Sequence, residues 1–262
     1  MALLEIKNLK KAYKKEEYAL NGINLSIDEG EFVVVIGPSG AGKSTFIRTI
    51  NQMISMTSGE IIFDGVAISK IKSTKLRKIR TKIGMIFQHY NLIGRTNVIK
   101  NVLHGCLGQM TFIRSALGMY KQEDINKAYQ LLKTVGLEEH IYKKSKDLSG
   151  GQMQRVGICR AMMQNPKLLL ADEPIASLDP NSASLIMDLI YGMVKERNIT
   201  CIMNLHQVEY ARKYATRIIG IKGGNVVFDG KPELLTENIV ANIYSSKEEQ
   251  KGIQGYELVA YV

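Results

Sequence analysis

Gly37-Pro38-Ser39-Gly40-Ala41-Gly42-Lys43-Ser44 fits the pattern GxxxxGK[ST] at every fixed position. Glycines at this spacing let successive backbone N–H groups turn inward around phosphate oxygens. A helix that follows adds the positive end of its dipole. Lys43 would reach the β- and γ-phosphates of a nucleotide, and the Ser44 hydroxyl would ligate Mg²⁺. Gly37, Pro38, Ser39, Gly40, Ala41, Gly42, Lys43 and Ser44, with Thr45 after them, are therefore candidate nucleotide-binding residues. A second cluster is Leu168-Leu169-Leu170-Ala171-Asp172-Glu173, an apolar run ending in two acids. Carboxylates at the tip of a buried strand are unfavourable unless they meet a cation. Asp172 suits a Mg²⁺ shell, and Glu173, one residue later, suits orienting or deprotonating a water. Pro174 stops the strand.

Leu148-Ser149-Gly150-Gly151-Gln152 precedes a helical pattern and forms a further turn able to bind an anion. One nucleotide does not need two γ-phosphate cradles in one chain. The economical arrangement is a symmetric dimer in which Ser149, Gly150, Gly151 and Gln152 of each copy close the other's nucleotide.

These residues need elements to hold them. Phe32-Val33-Val34-Val35-Ile36 is continuously apolar and β-branched, as a strand buried on both faces is, and it runs into the glycine loop. Ser44 to about Met53 reads as a helix. Leu3 to Leu9 and Ile23 to Ile27 alternate like half-buried strands, and Asp28-Glu29-Gly30 is a turn. Ile61-Ile62-Phe63 with Asp64-Gly65, and Ile83 to Phe87 ending at Gln88, read as further strands. From about Tyr90 helical patterns dominate, for example Ile125, Ala128, Leu131, Leu132 and Val135 ahead of Gly136. Strand texture returns at 167–171, 199–205, 217–221 and 225–230. The pattern predicts one α/β domain over 1–262: a phosphate-loop core at 1–89 and 159–262 with a mostly parallel sheet, an N-terminal antiparallel β part, and a helical lobe inserted at about 90–158.

Composition limits the setting. The chain has 262 residues, 45% of them apolar, enough for a full core. Lys and Arg total 35 against 25 Asp and Glu, a net charge of +10, which fits an anionic partner without choosing among nucleic acid, membrane surface and phosphate. Residues 70–82 carry seven bases and no acid, read as a helix with a solvated basic face or one drawn to lipid headgroups. No apolar run approaches the roughly 20 residues needed to span a bilayer, and the N-terminus lacks a signal-peptide core, so a soluble or peripheral protein is expected. Cys106, Cys159 and Cys201 form no CxxC pair, which speaks against a disulfide framework or a zinc site and fits a reducing cytosol.

With these three motifs the chain resembles, over nearly its whole length, the ATP-binding subunits of ABC transporters. The resemblance implies ATP and Mg²⁺ as ligands, a second copy in an ATP sandwich, integral membrane permease subunits, and indirectly an extracytoplasmic substrate-binding protein. It also implies a peripheral position on the cytoplasmic face of the cell membrane, with no nucleic-acid partner. By the same resemblance Gln88 contacts Mg²⁺ and the nucleophilic water, Ser177-Leu178-Asp179 links the two sites across the dimer, and His206 senses the γ-phosphate. Tyr13 stacks on adenine, with Tyr18 as its rival. A closer similarity is to phosphonate importer ATPases, carried by Ala171-Asp172-Glu173-Pro174-Ile175-Ala176-Ser177-Leu178-Asp179-Pro180, by the stretch from Leu205 to Ala215, and by Phe87 to Arg95. It implies ATP-driven uptake of a small anion. Phosphonate is favoured over phosphite and phosphate esters. The other readings are a soluble ABC-type ATPase acting on nucleic acid or ribosomes, and a nucleotide-binding regulator without hydrolysis. Only about 60 residues separate Gln88 from Ser149, too few for long coiled-coil arms, and Glu173 argues for hydrolysis. Gly157 and Cys159 depart from the alanines usual in such chains, and Gly157 should weaken its helix by roughly 1 kcal/mol.

Overall fold

The computed structural model describes residues 2–14, 17–71 and 74–245. Two sheets carry the fold. In the antiparallel one, β1 (Ala2–Lys14) lies between β2 (Glu17–Asp28) and β4 (Ser58–Phe63), with Ile6 opposite Leu25 on one side and Ile61 on the other. β5 (Val66–Ala67) follows a tight turn in which Asp64 and Gly65 have φ of +51° and +73°. β1 and β2 are longer than their alternating segments suggested. Register shifts along their pairing break the period-two pattern beyond Leu9.

The second sheet has the order β10-β9-β3-β8-β7-β6. Its parallel strands are β3 (Phe32–Ile36), β6 (Ile83–Ile86), β7 (Leu168–Asp172), β8 (Thr200–Asn204) and β9 (Arg217–Lys222), and only β10 (Asn225–Gly230) runs antiparallel. Strand β3 shows why a continuous apolar run is needed. Phe32, Val34 and Ile36 pack into one core and Val33 and Val35 into the other, all without solvent exposure.

The first core fills the space between the antiparallel sheet, α1 (Lys43–Ile50) and one face of the parallel sheet. The second lies on the opposite face. It is built with α3 (Val98–Leu103), α5 (Gln122–Thr134), α6 (Gly150–Met163) and α7 (Pro180–Glu196). The remaining helices are short: α2 (Thr74–Arg80), α4 (Phe112–Ala116), α8 (Val208–Tyr214) and α9 (Glu237–Tyr244). No helix among the described residues is long and apolar enough to cross a membrane. All three cysteines are free and buried, and burial pushes the Cys159 thiol up to about 12.

Some expectations shift in detail. The first helix stops at Ile50, not Met53, because Gln52 takes a positive φ of +59°. The lobe boundary placed at 158 falls inside α6, whose apolar side packs across it without a break. The basic segment 70–82 is not one helix: a short turn at Ile68–Lys70 precedes α2, and Lys72 lies outside the described residues. Its face is also less free than a solvated one. Arg77 donates to the Leu107 and Met110 carbonyls, Arg80 to those of Asn51 and Gln52, and Lys82 pairs with Asp64.

Gly157 sits mid-α6, and a Cβ there would meet only the Tyr90 carbonyl oxygen at 3.8 Å, an ordinary contact. Gly157→Ala should therefore raise stability by about 0.5–1 kcal/mol in urea unfolding. A loss of stability would mean that the backbone there needs glycine.

Candidate active site

The glycine loop leaves β3 and is clamped between β9 and the β1–β2 hairpin. A Cβ on Gly37 (φ +151°) would lie 2.0 Å from the Ile221 carbonyl oxygen, and one on Gly42 (φ +104°) 2.2 Å from that of Ala19. Only glycine fits either place. The loop then turns directly into α1, with Gly42 as its N-cap. Lys43 is 4% exposed, and its Nζ donates to the Gly37 and Pro38 carbonyls at 2.7 and 3.0 Å. It makes no ion pair among the described residues. Burial pushes its ammonium below the usual lysine range, while the Glu173 and Asp172 carboxylates pull the other way.

Above the lysine opens a cavity of about 320 Å³. Residues 39–45 form one wall, Tyr13 and Ala19 another, and Glu173 with His206 a third. Tyr13 is 60% exposed, with its hydroxyl 3.3 Å from Thr45 Oγ1; Tyr18 does not line the cavity. Gly37 and Pro38 lie beneath, as the acceptors of Lys43.

The two acids part company at the end of β7. Asp172 points into the protein, its side chain 1% exposed; Arg48 Nε donates to Oδ2 at 2.7 Å and Asn204 Nδ2 to Oδ1 at 2.8 Å. Asn204 Nδ2 also lies 3.3 Å from Ser44 Oγ, so the Asp172 carboxylate and the Ser44 hydroxyl share one amide. Glu173 takes a left-handed φ of +50°, which turns its side chain away from that of Asp172 and toward the cavity. Its N–H donates to Asn204 Oδ1 at 2.5 Å, and its Oε1 lies 2.8 Å from His206 Nε2.

The other sequence candidates lie apart from this cavity. Gln88 leaves β6 into a loop where Tyr90 and Asn91 have φ of +55° and +50°, and Arg160 of α6 holds both their carbonyls. Ser149 caps α6: its Oγ accepts from Gln152 N–H, and Gln152 Oε1 accepts from Ser149 N–H. Gln152 Nε2 donates to His140 Nε2 at 2.9 Å. Gly150 packs beneath the Tyr90 hydroxyl, and Gly151 lies near Ser182. Asp179 caps α7 through Ser182 N–H, a bond that holds its carboxyl below the usual carboxylate range. None of Gln88, Ser149, Gly150, Gly151, Gln152 and Asp179 lines the cavity. Sequence reasoning missed Arg48, Asn204 and Arg160. Asn204 left one signal, a polar residue ending an otherwise apolar strand.

A family model described as ABC transporter matches residues 20–176. The phosphonates import ATP-binding protein PhnC 2 of Oceanobacillus iheyensis is 49% identical, covering 95% of this chain and 98% of that protein. The chain belongs to the ABC transporter ATP-binding family. The phosphonates import ATP-binding protein PhnC of Treponema denticola is 51% identical over 91% of this chain and 93% of its own. Among solved structures, the dimeric bacterial ABC transporter cassette MJ0796 is 36% identical with a TM-score of 0.78, covering 87% of this chain and 98% of that one. The cassette cbiO1 of Clostridium perfringens, part of the transporter complex cbiONQ, is 32% identical, also at 0.78, with 97% and 99% covered. The α/β architecture expected from sequence is thus that of the ABC ATPase cassettes.

Because Gly42 cannot carry a side chain without displacing Ala19, Gly42→Ala should weaken nucleotide binding at least tenfold, about 1.4 kcal/mol, in a fluorescent-ATP titration. Unchanged affinity would show that the loop closes without this contact.

Proposed function

We propose that the chain hydrolyses ATP on the cytoplasmic face of a bacterial membrane and couples that hydrolysis to import of a small anion, phosphonate. The observation that carries the ATPase reading is the buried Lys43, without an ion pair among the described residues, at the floor of a cavity whose far wall is Glu173 held by His206. In this reading the inward-turned backbone of residues 37–42 and the start of α1 bind the phosphates. Lys43, buried at the floor of the cavity, places its charge on the β- and γ-oxygens as the bond to the γ-phosphoryl group breaks. Glu173 orients the attacking water and accepts its proton, and His206 keeps that carboxylate aimed into the cavity. Tyr13 offers its exposed ring to adenine.

The donor set beside the loop suits Mg²⁺. The Asp172 carboxylate and Ser44 hydroxyl are hard oxygen donors, and no cluster of three His, Cys, Asp or Glu among the described residues could cage a metal alone. That matches a cation which takes one or two protein oxygens and completes its shell with phosphates and water. Ser44, Asp172 and Gln88 would hold it, and when bound it neutralises charge on the phosphate oxygens.

A second copy completes the site. Ser149, Gly150, Gly151 and Gln152 stand at the start of α6 and line no part of their own chain's cavity, which suits them to the γ-phosphate of a partner, with Asp179 beside that junction. The dimeric form of the MJ0796 cassette supports this pairing. Permease subunits in the membrane and an extracytoplasmic binding protein would supply the path and the cargo. The phosphonate assignment rests on the relatives named above, each described as a phosphonates import protein.

Two experiments test the reading. Lys43→Ala should reduce ATP turnover by about 10²-fold or more with little change in melting temperature. Near-normal turnover would refute the assignment of this loop. Deleting the gene should abolish growth on a phosphonate as sole phosphorus source while growth on phosphate continues. Unimpaired growth on phosphonate would reject that cargo and leave the ATPase reading standing.

A further inference from the structure

Asn204 is the last residue of β8, fully buried in a strand that is otherwise Thr200, Cys201, Ile202 and Met203. A buried amide in such a place is unfavourable by a few kcal/mol unless its donors and acceptor are all met. Here they are, and each partner belongs to the site. Register sets this up: β8 pairs with β7 so that Asn204 lies directly opposite Asp172, and with β3 so that it lies opposite Val35, just ahead of the glycine loop. The amide's orientation is fixed by chemistry. The Glu173 N–H can only donate and so faces Oδ1; the Asp172 carboxylate accepts and so faces Nδ2. The second Nδ2 proton reaches toward the Ser44 hydroxyl.

We infer that Asn204 is a positioning residue for ATP hydrolysis, one amide that sets the Asp172 carboxylate, the Ser44 hydroxyl and the backbone of Glu173 relative to one another. The inference rests on the ATPase reading proposed above. Glu173 sits at φ +50°, a conformation that a non-glycine residue keeps only when its surroundings hold it there, and the Asn204 Oδ1 bond to its N–H is a direct restraint. The Arg48 side chain bonds the other oxygen of Asp172, whereas among the described residues Asn204 alone makes side-chain hydrogen bonds to Asp172, Ser44 and Glu173 together. Outer-shell residues that orient metal ligands characteristically change metal affinity or turnover when replaced.

The test compares wild type with Asn204→Leu, which keeps the volume and removes every polar atom, and with Asn204→Ala, which decides the matter if the leucine variant does not fold. Three quantities are measured on the purified full chain: kcat, the KM for ATP, and the affinity for Mn²⁺ in the presence of adenylyl imidodiphosphate, read from the electron paramagnetic resonance signal of free Mn²⁺. The expected result is a kcat reduced about 10–100-fold, a Mn²⁺ affinity reduced at least about tenfold, and a KM for ATP within about threefold of wild type. A residue that only filled the core would lower the melting temperature and leave Mn²⁺ binding by the folded fraction unchanged. Wild-type kcat and Mn²⁺ affinity in a folded variant, or a loss confined to KM, would overturn the inference. Absence of ATP hydrolysis by the wild type would instead refute the ATPase reading, and the Mn²⁺ comparison would still decide what Asn204 does.

Discussion

A buried lysine ammonium with no ion pair among the described residues is the constraint around which the site is arranged. Lys43 is held by two carbonyls of its own loop, at the positive end of the helix it begins, where a further cation is unfavourable. Its pKa is lowered by that burial, which means that the charged form lacks the stabilisation it would have in water. An anion placed against the loop relieves this, and a triphosphate does so with several oxygens at once. The clamp that creates the situation is steric. The Ile221 and Ala19 carbonyls approach Gly37 and Gly42 so closely that neither position has room for a side chain.

The parallel sheet supplies the rest. Strands β3, β8 and β7 are adjacent, so their carboxyl ends deliver the loop, Asn204 and the two acids to one edge, where open α/β sheets bind ligands. Asp172 and Glu173 are neighbours in sequence with different surroundings. The left-handed turn at Glu173 sends one carboxylate to Arg48 and Asn204 and the other to His206 and the cavity.

Much of this was readable from residues alone. The loop spacing, the strand before it and the acids ending β7 are local patterns with a period or a fixed offset, and each is found where it was expected. Asn204 and Arg48 were not readable in that way. Their roles depend on which strand lies beside which, and a polar residue at a strand end otherwise looks like the exit to a loop. α7 is signalled only at its start, by the Asp179 cap and Pro180, and both lie within the stretch that carries the family resemblance. The Ser149 turn was legible as a motif, whereas Gln88 stood out only through the family resemblance; neither lines the cavity of its own chain.

In the proposed arrangement, Lys43 and its cavity form half of a nucleotide site that a second copy closes. Light scattering coupled to size-exclusion chromatography of Glu173→Gln, with and without ATP, tests this most directly. The substitution keeps the shape of the side chain and removes the carboxylate, so ATP should bind and persist, and a ligand that favours the closed form should shift the chain from monomer to dimer by mass action. Adding Ser149→Arg should abolish the shift, because a bulky cation would occupy the space the partner's phosphate needs. A Glu173→Gln chain that stays monomeric when saturated with ATP would contradict a site shared between two copies.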